Sequence, residues 1–188
     1  HYLQEFIPGA PMSALLSAAR GVASLLGVTE QLVGESWLHA PPFGYAGNIG
    51  PAPLPPAVER ALKEFGTAVA RGAGLVGLFG IDFILAGTIA HPVEINPRYP
   101  ASAEVVEHAT GRAVMIDHAV ACGAADRDWP VRRNPRHRVV GKVVYYAPHA
   151  IRFPPVGPWD DRDPPFDPWT LPAFADIPDA DSAIEPGQ

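Results

Sequence analysis

The sequence predicts an α+β fold in which an antiparallel sheet carries flanking helices and precedes an irregular, proline-rich C-terminal segment. Apolar runs rich in β-formers flank short turn sequences at Arg20-Gly21 and Gly87, which is typical of hairpins. Apolar residues recur at helical spacing from Val58 to Val69. Proline and aspartate are dense from Phe153 onward, and this composition disfavours helices and sheet interiors.

The first half of the chain is predicted to supply three strands and one helix. The expected strands are His1–Ile7, Met12–Ala19 and Val22–Val33. A helix over Ser13–Leu26 is the alternative for the last two, because alanine and leucine favour helices. The segment 35–56 is rich in Gly, Pro, Tyr and Asn and is predicted to be a loop. A helix then begins at Pro55-Pro56 and ends at Gly72 and Gly74.

The second half is predicted to form a hairpin, two helices and a further β-rich segment. The hairpin pairs Leu75–Leu85 with Pro92–Asn96. The helices cover Ser102–Ala109, capped by Ser102, and Ala113–Ala121. A charged connection over Asp126–Arg138 leads to the β-rich segment Val139–Ala147. We expect two domains, over residues 1–122 and 123–188, with the second packed on the first.

Composition restricts the class of protein. The 188 residues carry a net charge of −6, so the basic surplus of a nucleic-acid-binding protein is absent. Cys122 is the single cysteine, which excludes an internal disulfide and a cysteine-based zinc site. The most apolar stretch, Leu75–Ala86, is too short to span a bilayer and contains Asp82. We therefore expect a cytoplasmic protein without nucleic-acid or membrane partners, and a homo-oligomer stays open.

The predicted hairpin brings acidic and amide side chains together. Residues two apart on a strand point to the same face, so Glu94 and Asn96 begin on one side together with Arg98. Pairing of the two strands can place Asp82 across from Glu94. Two carboxylates and an amide oxygen suit Mg²⁺, while the Arg98 guanidinium suits phosphate or carboxylate oxygens. The alternative is that these side chains simply face solvent.

An acidic strand followed by Glu-x-Asn resembles the C-terminal subdomain of the ATP-grasp superfamily. The continuation Asn96-Pro97-Arg98-Tyr99 is similar to the branch with biotin carboxylase-like and carboxylate–amine ligases. The resemblance implies that Asp82, Glu94 and Asn96 bind magnesium and that Arg98 acts catalytically near the transferred phosphate or the substrate. It also implies ATP and Mg²⁺ as cofactors and a small-molecule carboxylate as the substrate.

The segment Gln4-Glu5-Phe6-Ile7 resembles the hinge with which this family binds adenine. By that resemblance the carbonyl of Glu5 and the N–H of Ile7 meet the adenine edge, with Gln4 contributing from its side chain. Family members often place a ribose-binding glutamate shortly after the hinge, whereas this chain reads Ala-Pro-Met-Ser over residues 10–13. The phosphate-gripping lysines and glycine-rich loop of the family precede the hinge. We therefore expect this chain to be the C-terminal part of a longer enzyme and inactive alone.

The resemblance implies an ATP-dependent ligase that activates a carboxylate as an acyl phosphate for attack by an amine or similar nucleophile. A non-catalytic binding or scaffold domain and a bicarbonate-using carboxylase are the alternatives. The resemblance also indicates a loop over the active site at Phe43–Gly50, with a substrate contact through Tyr45 or Asn48.

Overall fold

The computed structural model describes residues 3–124, 138–159 and 173–187, which form eight strands and three α-helices in these ranges. The helices are α1 (Pro56–Ala73), α2 (Ser102–Thr110) and α3 (Val114–Ala121). The strands are β1 (Ala10–Ala19), β2 (Val22–Val33), β3 (Tyr45–Gly50), β4 (Gly77–Ala86), β5 (Ile89–Asn96), β6 (Val140–Val143), β7 (Ile151–Arg152) and β8 (Ala183–Ile184). Strands β1 to β6 form one sheet in the order β5-β4-β1-β2-β3-β6, and β7 pairs with β8. The predicted antiparallel α+β fold is confirmed.

The chain divides into two compact units. The first comprises residues 1–32 and 47–142 and contains most of the six-stranded sheet and all three α-helices. The second comprises residues 33–46 and 143–188 and contains a short 3₁₀ helix over Ser36–Leu38 and the β7-β8 pair. The two-domain organisation expected from the sequence, with a boundary after residue 122, stays a prediction.

One face of the sheet packs against α1. Alternate residues of β1, beginning with Met12, are buried there opposite aromatic and aliphatic residues of β4. The cross-strand pairs are Met12–Phe83, Ala14–Ile81 and Leu16–Phe79. Helix α1 contributes Val58 and Leu62, each 1% exposed, to the same cluster. This core confirms the helix predicted from the spacing of its apolar residues.

The opposite face of the sheet packs against α2 and α3. Leu15 of β1 and Leu78 of β4 meet Ala103, Val106 and Val114 in a second cluster. Because β1 is buried on both faces, its sequence is apolar almost throughout and lacks the alternation of a half-exposed strand. That near-continuous apolar run is why a helix over Ser13–Leu26 was a reasonable alternative, and the structure shows that alternative to be wrong.

The turn between β1 and β2 has a positive φ at both central residues, 52° at Arg20 and 73° at Gly21. Two consecutive positive φ values are typical of the tight turns whose twist matches that of a hairpin. The hairpin predicted at this position is therefore confirmed. The β4-β5 hairpin is confirmed as well, with Gly87 at a φ of 61° in its turn.

Several local predictions were wrong. Residues 3–7 form no strand, because Leu3 (102% exposed) and Phe6 (75% exposed) have no core to face. The predicted loop over 35–56 contains β3, whose backbone completes the sheet between β2 and β6. Ser102 lies inside α2 and does not cap it, because the cap position falls on Ala101.

In the C-terminal part, the β-rich segment at 139–147 shortens to β6. From Phe153 onward the described residues are irregular apart from β8, in agreement with the prediction. Most of the predicted charged connection at 126–138 lies outside the described residues.

Candidate active site

A row of polar side chains crosses five neighbouring strands on the face of the sheet that also carries α2 and α3. Strand register places Thr29 beside Ser13, Ser13 beside Asp82, and Asp82 beside Glu94. Asn48 of β3 joins the row because its Nδ2 donates to Thr29 Oγ1 over 2.8 Å. We call these five residues the polar row. Its Glu94 end is exposed, whereas its Asn48 end is buried.

Asp82 lies between Ser13 and Glu94 in the polar row. Its Oδ2 accepts a hydrogen bond from Asn96 Nδ2 over 3.1 Å, and hydrogen bonding from the side chains of Ser13 and Gln31 also acts on the pKa of its carboxyl. Burial raises the pKa of Asp82 above its ordinary value of 3.8, and the charge of Glu94 adds to this rise. The three hydrogen bonds oppose the rise, because each favours the ionised carboxylate.

A β-bulge sets the side to which Glu94 points. Phe83 pairs with Pro92 while Asp82 pairs with Glu94, so Val93 is an additional residue on β5. Beyond the bulge, Asn96 pairs with Gly80, and a Cβ atom added to Gly80 would lie 3.1 Å from Pro100 Cβ and 3.7 Å from Asn96 Cβ. A side chain at position 80 would therefore crowd Pro100 and lie in ordinary contact with Asn96. The sequence predicted that Asp82 and Glu94 can face each other, and the register places them opposite each other.

Arg98 follows the end of β5 and is held close to Asn96. Its Nη2 lies 3.4 Å from Asn96 Oδ1, and its Nη1 donates to the carbonyl of Tyr99 over 3.3 Å. The Tyr99 hydroxyl donates to Glu107 Oε2 over 3.1 Å, and Glu107 Oε1 accepts from the N–H of Val114 over 2.8 Å. Burial raises the pKa of the Tyr99 phenol, and the charge of Glu107 raises it further. Glu107 thus connects the Arg98 segment to the first turn of α3.

The hinge predicted to bind the nucleotide lies just before β1. Gln4, Glu5 and Phe6 are exposed, and Ile7 is half-buried. The chain then passes tightly over β4, because a Cβ atom on Gly9 would lie only 2.6 Å from the Leu85 carbonyl oxygen. Ala10 pairs with Leu85, three residues before Ser13 pairs with Asp82. At the rise of a β-strand, this separation is about 10 Å.

The donor set suits Mg²⁺. Asp82 and Glu94 supply carboxylate oxygens and Asn96 an amide oxygen, which are hard ligands, and the cation prefers few protein ligands with phosphate or water completing its shell. A cation would also offset the repulsion between the facing carboxylates that contributes to the raised pKa of Asp82. Within the described ranges, no group of three or more His, Cys, Asp or Glu residues could hold a metal. A site here therefore depends on the amide oxygen of Asn96.

The sequence predicted the exposed half of this arrangement and missed the buried half. Ser13, Thr29 and Gln31 were not predicted to belong to the site. The available signal was the presence of Ser and Thr within otherwise apolar strands, which becomes informative only once the register is known. Asn48 was predicted as a substrate contact, but its side chain is buried, with 1% exposed, and donates a hydrogen bond to Thr29. Tyr45, the other residue of that prediction, is half-buried.

Sequence comparison identifies the family. Residues 2–102, more than half of the chain, match the family model of the ATP-grasp domain. The carbamoyl phosphate synthase large chain of Myxococcus xanthus (strain DK1622) is 29% identical over 134 residues, which cover 69% of this chain. The corresponding protein of Kocuria rhizophila is 38% identical over 63 residues, or 34% of this chain. The matched regions span 12% and 6% of the lengths of these two relatives.

Solved structures share the fold. The N5-carboxyaminoimidazole ribonucleotide synthetase of Thermus thermophilus aligns with a TM-score of 0.51 at 17% identity, over 62% of this chain and 31% of the synthetase. The biotin carboxylase–β,γ-ATP complex of Campylobacter jejuni aligns with a TM-score of 0.52 at 14% identity, over 76% of this chain and 29% of that structure. At these identities the alignments support the fold alone.

The fold and the family match together define the class, that of proteins with an ATP-grasp domain. The chain belongs to the ATP-grasp family, as its resemblance predicted. ATP and Mg²⁺ are the cofactors of this family, which agrees with the prediction. No helix in the described part of the chain is long and apolar enough to cross a membrane.

Proposed function

We propose that this chain supplies one wall of the active site of an ATP- and Mg²⁺-dependent ligase that activates a small-molecule carboxylate as an acyl phosphate. An amine or similar nucleophile then displaces the phosphate. The observation that carries the proposal is the convergence of Asp82, Glu94 and Asn96 on the adjacent strands β4 and β5. The family match supports the use of ATP, while the roles of individual residues rest on the geometry.

In this proposal Asp82, Glu94 and Asn96 hold the magnesium ions. Mg²⁺ held by these residues would neutralise negative charge that develops on the phosphates. The Asp82 carboxylate contributes an oxygen, and the hydrogen bond of 3.1 Å from Asn96 Nδ2 to Oδ2 restrains its orientation. Glu94 lies opposite Asp82 on the edge strand β5, and its exposed side chain contributes a second carboxylate oxygen.

Arg98 stabilises the transferred phosphoryl group in this proposal. Its guanidinium lies beside Asn96 Oδ1, so it borders the metal residues and is exposed. A planar guanidinium presents several N–H donors to phosphate oxygens and stays charged at all relevant pH values. Its donors can therefore stabilise negative charge as it develops during phosphoryl transfer.

Gln4, Glu5, Phe6 and Ile7 bind the adenine in this proposal. The exposed backbone of residues 3–7 is not paired in the sheet, so the Glu5 carbonyl and the Ile7 N–H can serve a ligand. The estimated span of about 10 Å between Ala10 and Ser13 is compatible with a nucleotide whose base and phosphates are bound at separate places. The hinge and the metal residues would then contact opposite ends of one ATP molecule.

The chemistry requires no covalent enzyme intermediate. A carboxylate oxygen of the substrate attacks the γ-phosphorus, the bond from phosphorus to the bridging oxygen of ADP breaks, and an acyl phosphate results. The nucleophile then attacks the carbonyl carbon and loses a proton as inorganic phosphate leaves. Positioning and electrostatic stabilisation account for catalysis in such transfers.

The test is ATP turnover by the enzyme that contains this chain, with a panel of carboxylates and amines. Glu94→Gln is expected to abolish carboxylate-dependent ADP formation. Glu30→Gln is the matched control, because Glu30 is an exposed strand glutamate whose register partner Met12 faces α1. Equal activity of Glu94→Gln and the wild type would overturn the metal assignment. Calorimetric titration of this chain with Mg-ATP separates a self-sufficient nucleotide site from a non-catalytic domain.

A carboxylase that uses bicarbonate is the second candidate. The two aligned structures are named as a biotin carboxylase and a carboxyaminoimidazole ribonucleotide synthetase, and both names refer to carboxylated products. In this case bicarbonate is the oxygen nucleophile and carboxyphosphate is the activated species. ATP hydrolysis that requires bicarbonate and no carboxylate substrate would favour this candidate over the ligase.

A further inference from the structure

Four polar side chains are buried in the part of the chain that the structure describes: Ser13, Thr29, Asn48 and Ser102, all 2% exposed or less. Burying a polar group costs free energy unless it finds hydrogen-bond partners. All four lie along or directly against the polar row, and every buried side-chain nitrogen and oxygen of the described residues has a partner. The polar groups of this core are therefore concentrated beside Asp82.

Contacts between these residues run from α2 and β3 toward Asp82. Ser13 Oγ lies 3.2 Å from Ser102 Oγ, and Ser13 is the register partner of Asp82 across β1 and β4. Hydrogen bonding from Ser13 also lowers the pKa of the Asp82 carboxyl. Because a hydroxyl has a single proton, serving both partners requires Ser13 to donate to the carboxylate and to accept from Ser102. Helix α2 thus supports, through Ser102, the residue of β1 that contacts Asp82.

The packing around Thr29 also fixes its orientation. A Cβ atom on Gly50 would lie 2.6 Å from Thr29 Cγ2, so the absence of a side chain at Gly50 leaves room for that methyl group. With the methyl group seated against Gly50, the hydroxyl of Thr29 points to Asn48, whose Nδ2 lies 2.8 Å away. A β-branched side chain has few rotamers, and this one is held in place from both sides.

Gln31 approaches Asp82 from β2, which lies two strands away from β4 in the sheet. It lies two residues after Thr29 on β2, so its side chain points to the same face of the sheet as the polar row. Hydrogen bonding from its side chain lowers the pKa of the Asp82 carboxyl, so the Gln31 amide lies within reach of that carboxylate. Together with Asn96, Ser13 and Gln31 surround that carboxylate with partners from β1, β2 and β5.

We propose that Ser13 and Gln31 are positioning residues that hold the Asp82 carboxylate in the orientation needed for metal binding, with Ser102 supporting Ser13 from α2. This inference rests on the proposed function, in which Asp82 is a metal ligand. Partners of a metal-ligating carboxylate orient it before the metal arrives, and their removal typically weakens metal affinity by about 10- to 100-fold. Neither side chain is required to contact the metal or the substrate.

The experiment measures Mn²⁺ binding to the chain by electron paramagnetic resonance, with and without ATP, well below the melting temperature of each variant. Ser13→Ala and Gln31→Met are expected to weaken Mn²⁺ binding by about 10- to 100-fold. Ser17→Ala is the matched control, because Ser17 lies on the same face of β1 but pairs with Ser24 and Leu78, away from Asp82. It should bind Mn²⁺ with wild-type affinity.

Asp82→Asn, measured in parallel, separates the inference from the proposed function. If Asp82→Asn binds Mn²⁺ as the wild type does, or if the wild type binds none, the metal site itself is overturned. If Asp82→Asn loses binding while Ser13→Ala and Gln31→Met keep it, the positioning role alone is overturned. Gln31 is only half-buried, so Gln31→Met decides the question even if Ser13→Ala fails to fold. A loss in Ser17→Ala equal to that in Ser13→Ala would also overturn the role of Ser13.

Discussion

Asn96 Nδ2 donates a hydrogen bond to Asp82 Oδ2 over 3.1 Å, and this bond joins the edge strand β5 to its neighbour β4 through side chains. It leaves the amide oxygen of Asn96 on the side of Arg98, whose Nη2 lies 3.4 Å from it. A cation bound by that oxygen would therefore bring Arg98 and the metal residues to one phosphate group. The bond also makes the orientations of Asp82 and Asn96 mutually dependent.

Removing a metal ligand should abolish activity without unfolding the protein. We expect Glu94→Gln and Asn96→Ala each to lower ATP turnover by at least about 100-fold, since even outer partners of a metal site are worth 10- to 100-fold. Glu94 is exposed and opposes another carboxylate, so its neutralisation removes a repulsion and should not destabilise the sheet. Steady-state kinetics and thermal melting check both parts, and unchanged turnover with a lower Tm would contradict the prediction.

Asp82→Asn should be more stable than the wild type at neutral pH in the absence of metal. The folded protein binds the Asp82 proton more tightly than the unfolded chain, because burial raises the pKa above 3.8. The stability of the wild type therefore falls as the pH rises from below 3.8 through the raised pKa, and Asp82→Asn lacks this fall.

Urea denaturation of both proteins from about pH 3 to about pH 8 checks this prediction. The stability difference should grow across that pH window and then become constant. Mg-ATP should reverse the order, because a ligand stabilises only the protein that binds it. If Asp82→Asn is less stable than the wild type at neutral pH, hydrogen bonding from Ser13, Gln31 and Asn96 to the Asp82 carboxylate outweighs the cost of burying its charge.

Tyr99→Phe should weaken the support of Arg98. The variant loses the bond of 3.1 Å to Glu107, which is worth about 0.5–1.5 kcal/mol, while the ring is kept. If the poorer positioning of Arg98 raises the activation free energy by about 1 kcal/mol, kcat falls about five-fold. A double-mutant cycle with Glu107→Gln measures the coupling between the two side chains. Additive effects on kcat would contradict the role of this bond.

Replacing either of two glycines of α1 by alanine should change the stability of the protein in opposite directions. A Cβ atom at Gly72 has no neighbour within 4 Å, so Gly72→Ala should stabilise the helix by about 0.5–1 kcal/mol. At Gly66 the added atom would lie 2.4 Å from Leu16 Cδ2, and Leu16 is fully buried. Overpacking of this kind costs about 1–3 kcal/mol, so Gly66→Ala should be less stable than the wild type. Chemical denaturation of the two variants gives the sign directly.

The sequence predicted the elements whose local signals agree with their final environment. The β1-β2 hairpin has a turn that accepts a positive φ, and α1 has a proline start and Gly74 as its C-cap, with a φ of 65°. Strand β3 was missed because Gly and Pro surround it, and its place in the sheet depends on pairing with distant strands. Residues 3–7 were given a strand because their apolar pattern does not reveal the absence of a core around them.

The residues of the candidate site were likewise predicted from the sequence only where they lie close together along the chain. Asp82, Glu94 and Asn96 were predicted because they are close in sequence and a single hairpin brings them together. Ser13 and Gln31 come from β1 and β2, and Ser102 comes from α2, which is 89 residues from Ser13 along the chain. Their proximity to Asp82 results from the order of the strands in the sheet, which no spacing in the sequence discloses.

The bulge at Val93 makes the length of β5, and not only its composition, a determinant of the metal site. Counted from His91, which pairs with Ile84, an unbroken two-residue alternation would set Val93 opposite Asp82 and turn Glu94 toward Ile81. The extra residue shifts that alternation by one step and returns the carboxylate to the polar row. Without the bulge, the same residues in regular pairing would keep every ligand in the chain but turn Glu94 to the wrong side of the sheet. The spacing of this segment thus encodes the site as much as its acidic residues do.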